Sequence, residues 1–121
     1  MNESILKNKS FAFAVRIVKL YKYLSEEKKE FVLSKQVLRS GTSVGAMVRE
    51  AEHSESKADF VHKLAIAQKE INETLYWLEL LSETEFISIN EFNSINADAV
   101  EIIKMLTSSI KTAKQSLTTN R

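Results

Sequence analysis

Apolar residues recur at helical spacing along nearly the whole 121-residue chain, and no proline interrupts them. Proline inside a helix removes a backbone donor and clashes with the preceding turn, so its absence leaves long helices free to run. There are only two glycines, which argues against a turn-rich β-sandwich or barrel. Residues 4–24 predict a first helix with Phe11, Ala14, Val15, Val18 and Tyr21 on one face. Residues 34–53 predict a second, with Val37, Gly41, Val44, Val48 and Ala51 aligned. Ser34 is its expected N-cap, and Leu33 and Leu38 stand in the relation of a hydrophobic staple. Residues 57–82 carry the stripe Phe60, Leu64, Ala67, Ile71, Leu75 and Leu78, opened by Ser56-Lys57-Ala58-Asp59, a capping box with Asp in place of Glu. A fourth helix is expected over 90–117, capped by Asn90, with Phe92, Ile95, Ala99, Ile102, Ile103, Leu106, Ile110, Ala113 and Leu117. Short connections make neighbours antiparallel. The expected fold is all-α, one up-down-up-down four-helix bundle over residues 1–121.

Composition narrows the function. Lys and Arg total 17 against 16 Asp and Glu, which excludes a histone-like polycation and an acidic tail. With no cysteine, disulfides, thiolate zinc sites and cysteine nucleophiles are excluded too. Charges break every apolar run near the N-terminus, so neither a secretory leader nor a membrane span is expected, and the expected location is cytoplasmic. No catalytic signature is visible, and the expectation is a protein that is not an enzyme and carries no cofactor. Glu50-x-x-His53 and Asp59-x-x-His62 have the spacing used by di-iron bundles. Here, however, the two pairs flank a single turn, and helices one and four offer no inward-facing Glu. A polar network at the bundle end is the expected use, with no metal.

Charge is uneven in position. Residues 1–39 hold nine basic and four acidic residues, residues 40–103 four and twelve, and residues 104–121 four basic and no acidic residue. In an up-down bundle the start of helix one and the end of helix four share an end. Lys7, Lys9, Lys111, Lys114 and Arg121 then gather there, with Arg16 and Lys104 further along. These seven are the candidate contacts to nucleic-acid phosphates. The competing reading is ordinary solvated surface, with lysines complementing a helix C-terminus. No aromatic run interleaves with them, so base stacking is not expected.

Two further features concern packing. Gly41 and Gly45 lie one turn apart, although each costs a helix interior about 1 kcal/mol against alanine. They predict a helix pressed close to that backbone, in the same subunit or another. Helix three carries a second apolar strip, Ile66, Trp77 and Leu80, away from its main stripe. It reads as a subunit contact, the alternative being that Trp77 covers the core's edge.

The stretch from Leu33 to Leu81 resembles the bacterial four helix bundle protein family, related to proteins encoded in intervening sequences of large-subunit rRNA genes. Gln36, Arg39, Ser40, Gly41, Ser43, Gly45 and Glu50 match its helix-two pattern. Ser56, Lys57, Asp59, Phe60, Lys63, Lys69, Glu70, Glu73, Thr74, Trp77 and Leu78 match helix three. Met47 departs from it, standing where the family usually has Asn. The resemblance implies an antiparallel bundle that assembles as a homopentameric ring, and a partner that is RNA or a nucleic-acid enzyme, since a similar protein accompanies the reverse transcriptase of diversity-generating retroelements. It carries over no catalytic residue. Arg39 and Glu50 stand three turns apart, too far to pair with each other. Pairing with helix three or a neighbouring subunit is expected: Arg39 with a Glu such as Glu73, Glu50 with Lys63.

Overall fold

A computed structural model describes residues 3–119, with side chains placed from Ile5 to Leu117. They form four helices, α1 (Glu3–Glu26), α2 (Leu33–Glu52), α3 (Lys57–Glu83) and α4 (Ile89–Thr119). No strand occurs among the described residues. Each helix packs on its sequence neighbour, and α4 closes on α1 along the thinnest of the four seams. The architecture is an all-α four-helix bundle.

The core takes Val37, Val44 and Val48 from α2, Leu64, Ile71 and Leu78 from α3, and Ile95, Ile102 and Leu106 from α4. Helix α1 departs from expectation. Its inward residues are Leu6, Phe13, Ile17, Leu20 and Leu24, while Phe11, Val15 and Val18 face outward. The two strips lie roughly 155° apart at 3.6 residues per turn. The inner one prevails because it holds more apolar surface and no charge, whereas Lys7 and Lys22 flank the outer one and resist desolvation.

The glycine pair is explained within the chain. A Cβ on Gly41 would stand 2.8 Å from Cγ1 and Cγ2 of Ile17, and one on Gly45 3.2 Å from the Ser10 carbonyl oxygen. The bare stretch of α2 therefore lets α1 approach. Between α2 and α3, the fully buried hydroxyls of Ser40 and Thr74 lie 2.9 Å apart, and the Ser40 hydroxyl donates on to the Gln36 carbonyl at 3.1 Å.

Caps decide where the helices begin. Ser34 is not the cap of α2: it is buried, one residue inside the helix. The carboxylate of Glu30 takes over, accepting from the backbone N–H groups of Val32 (3.2 Å), Leu33 (3.0 Å) and Ser34 (2.7 Å). It satisfies orphan donors and places a negative charge at the helix's positive end. Burial works against the Glu30 charge, but bonds from Leu33, Ser34 and Val32 outweigh it and hold the pKa below its ordinary value. Ser56 does cap α3, accepting from Asp59 N–H at 3.0 Å, while the Asp59 carboxylate accepts from Glu55 N–H at 3.2 Å. Helix α4 opens one residue before Asn90, and Ser88 Oγ is its cap, accepting from Glu91 N–H at 3.1 Å.

Candidate functional site

The expected basic surface is divided by the fold. Arg16 reaches across the α1–α4 seam, donating to Asp98 Oδ2 at 2.9 Å and Ser94 Oγ at 2.7 Å, with Glu91 3.7 Å away. Two turns earlier, Lys9 meets Glu101 at 2.9 Å across the same seam. Lys7 lies 3.8 Å from Glu52 of α2. These three cations thus serve as clamps between helices. Their charge is largely matched, so they add little to a field that attracts phosphate. Sequence spacing showed the clustering of the lysines, but Glu91, Asp98 and Glu101 come opposite α1 only when α4 folds back.

What stays basic is the second half of α4. Lys104 and Lys111 are exposed on one line of the helix with Ser108 and Gln115, Lys114 is exposed beside them, and no acidic residue follows Glu101. Lys57, at the start of α3, joins this end by donating to Ser116 Oγ at 2.8 Å. Arg121 lies outside the described residues.

The motif residues of α2 and α3 form a lateral network. Arg39 donates to Glu73 and, at 3.3 Å, to Glu70; Glu73 in turn accepts from Trp77 Nε1 at 2.9 Å. The Trp77 bond, opposed by burial and helped by Arg39, holds the Glu73 carboxyl below its usual range. Lys63 pairs with Glu50 at 3.2 Å. Both ion pairs join α2 to α3 within one chain, as the matching residue types suggested. Half-exposed Arg39 makes this network a register device more than a source of stability. Phe60 and Met47 are half-buried against the core, and Ser43 Oγ donates to the Arg39 carbonyl at 2.7 Å.

The carboxylate–histidine pairs separate. Glu50, His53 and Asp59 border a shallow hollow with Arg49 and Lys63, but His62 is not in it. Glu50 is bound to Lys63 and Asp59 to the turn, and among the described residues no group of three or more His, Asp or Glu could hold a metal. At the opposite end a larger groove of about 1080 Å³ runs beside the α3–α4 turn. Its walls carry Arg16, Lys19 and Lys28 along with Glu83, Glu85 and Glu91, over a floor of Leu20, Phe86 and Ile87. Mixed signs give it no net preference for an anion.

Ile66, Trp77 and Leu80, the strip expected at a subunit contact, are each half-buried, and Trp77 rests on the chain's own core. Exposed Tyr76 stands edge-on to Trp77 beside this strip, and a further outward apolar strip lies on α1, where Phe11, Val15 and Val18 are 55, 39 and 37% exposed. Arg49 of α2 stands over the Phe11 ring, 5.3 Å from its centroid. The periodicity contained this strip but could not say which side of α1 would face in.

A family described as 23S rRNA-intervening sequence protein matches residues 2–108. The chain belongs to this family. A solved relative from Bacteroides thetaiotaomicron, described as a protein of unknown function from the S23 ribosomal protein family, is 60% identical. The likeness covers 92% of this chain and 99% of that one, with a TM-score of 0.90. No curated protein matches. Among the described residues, no helix of this family member is long and apolar enough to cross a membrane.

Proposed function

We propose that this family member is a non-enzymatic, self-associating cytoplasmic bundle that meets RNA through the basic half of α4. The observation that carries the self-association is the outward strip on α1. Phe11, Val15 and Val18 recur at one turn's spacing while the opposite strip of the same helix fills the core. Isolated surface apolar residues are ordinary, but a continuous strip beside an aromatic ring fits a contact between copies. The strip Ile66, Trp77 and Leu80 on α3, which does not touch α1, offers a second face to a neighbouring copy. Resemblance points to a ring of five. Light scattering at micromolar concentration should give a mass several times 13.8 kDa, and Phe11→Glu with Val15→Glu should reduce it to one chain. A monomeric wild type refutes the reading.

For the RNA contact, support comes from the resemblance and from exposed Lys104 and Lys111, which stand on one line of α4. Binding to structured RNA should weaken steeply with salt, and each charge reversal along this ridge should lower the log–log slope by about 1. The second reading is a protein-interaction scaffold that never touches nucleic acid. It is favoured by the internal pairing of Lys7, Lys9 and Arg16. Absence of any RNA shift at low salt, with a protein partner recovered after nuclease treatment, would decide for the scaffold.

A further inference from the structure

The end of the bundle that carries the α1–α2 and α3–α4 turns holds both an apolar projection and an open groove. Val32, before α2, and Ile89, at the start of α4, are the most exposed large apolar residues among those described, at 71 and 61%. Phe31, next to Val32, is 54% exposed. The groove of about 1080 Å³ runs between the two turns, with Lys28 from one and Glu85 from the other among its walls, over the floor of Leu20, Phe86 and Ile87. Neither Phe31 nor Val32 lines it. Apolar side chains grouped in this way at one end mark a contact surface.

Unmatched charge lies at the same end. Lys29 and Glu85, one in each turn, hold left-handed backbone with φ of 54° and 68°, a conformation that costs a residue other than glycine about 1–2 kcal/mol. Glu85 is further disfavoured because it follows Glu83 at the end of α3 that carries partial negative charge. Neither Lys29 nor Glu85 has an ion-pair partner among the described residues. Inside the groove, Arg16 is taken up by Asp98 and Glu91, and Lys28 lies over the Tyr23 ring, 5.9 Å from its centroid. The turn with the apolar projection thus offers a cation, and the turn across the groove offers an anion.

We infer that this end docks on the same end of a second copy about a two-fold axis, residues 27–32 of each copy entering the other's groove. Phe31 and Val32 then cover Leu20, Phe86 and Ile87, and Lys29 of each copy meets Glu85 of the other. A two-fold contact requires a patch complementary to itself, in which residue i meets j and j meets i. Here projection and groove, cation and anion, all belong to one end of one chain, and that is why a second copy fits better than a foreign protein. With four large apolar side chains exposed per copy, Tyr23, Phe31, Val32 and Ile89, the contact is smaller than a standard interface. Its Kd is therefore of the order of 100 μM. It uses neither the α1 strip nor the strip on α3, so it goes beyond the self-association proposed above and does not rest on it.

The test is sedimentation of the full chain carrying Phe11→Glu and Val15→Glu, which removes the α1 contact, from about 10 μM to about 1 mM. Its mass should rise from one chain to two and no further. Adding Phe31→Ser with Val32→Ser, both at exposed positions, should hold it at one chain without lowering the thermal midpoint measured at the dilute end. Lys29→Glu or Glu85→Lys alone should weaken dimerisation about tenfold, since the pair occurs twice and turns from attraction to repulsion, and the two together should restore it. In the otherwise unaltered chain, Phe31→Ser with Val32→Ser should leave the mass at micromolar concentration unchanged, so the two associations fail separately. A chain still single at about 1 mM assigns this end to a different partner and overturns the inference. Growth beyond two chains overturns it as well, as does a charge exchange that fails to restore dimerisation.

Discussion

Replacing Gly41 by alanine sets two opposite effects against each other at one atom. By intrinsic propensity, alanine in a helix interior is favoured over glycine by about 1 kcal/mol. If α2 were an isolated helix, the variant would be more stable by that amount. In the bundle the new Cβ stands 2.8 Å from two carbons of Ile17 and 3.2 Å from a third. Relaxed carbon contacts lie near 3.5–4.0 Å, so the overlap is roughly 0.7–1.2 Å. Ile17 is fully buried, and a β-branched side chain in a helix has essentially one χ1 well, so it cannot swing aside. Helix α1 must move instead, at an overpacking cost of about 1–3 kcal/mol. The expected net is a loss of about 1 kcal/mol, or roughly 3–5 °C in thermal midpoint for a chain of this length. Urea unfolding followed by circular dichroism, at one protein concentration so that any assembly contributes equally, measures it. Ile17→Ala alone should cost about 2–5 kcal/mol. In that background Gly41→Ala should become stabilising, because the two carbons at 2.8 Å are gone and only the 3.2 Å contact to the Cβ of residue 17 remains. A Gly41→Ala chain more stable than wild type, with Ile17 intact, refutes the close-approach account.

The caps give sharper contrasts. Glu30→Ala should cost about 1–2 kcal/mol by chemical unfolding. Ser88→Ala should cost about 1 kcal/mol and Asn90→Ala almost nothing, because only the serine caps α4. The Glu30 carboxyl is lowered from an ordinary value of 4.5, so the folded chain holds its proton less readily than the unfolded chain. Its stabilisation is complete above that value and fades as pH falls from there through the lowered folded pKa; Glu30→Gln should flatten that part of an acid-unfolding profile. Glu73 behaves in the same sense, and removing its Trp77 and Arg39 partners raises it. Arg39→Ala should therefore move the acid transition of Trp77 fluorescence to higher pH while costing about 0–1 kcal/mol at neutral pH.

Much of this bundle is readable one residue at a time. The stripe Leu64, Ala67, Ile71 and Leu78 faces inward as its spacing predicts, because α3 lies between two neighbours and has one strongly apolar side. Ser56 is recognisable as a cap because it and Asp59 act within one turn. The pairs Arg39–Glu73 and Glu50–Lys63 were legible from residue type and register on adjacent helices. The candidate site was less legible. Seven basic residues could be placed at or along one end, but Lys9 and Arg16 proved to face carboxylates more than 70 positions away in sequence.

Alone, the order of residues determined an all-α chain of four helices and most of their inward faces, because helix periodicity and capping are decided within a turn or two. Packing settled which of two apolar strips on α1 is buried, which carboxylate caps α2 and which cations of α1 meet carboxylates. Those outcomes depend on area and charge contributed by partners distant along the chain, and such partners exist only once the helices are side by side.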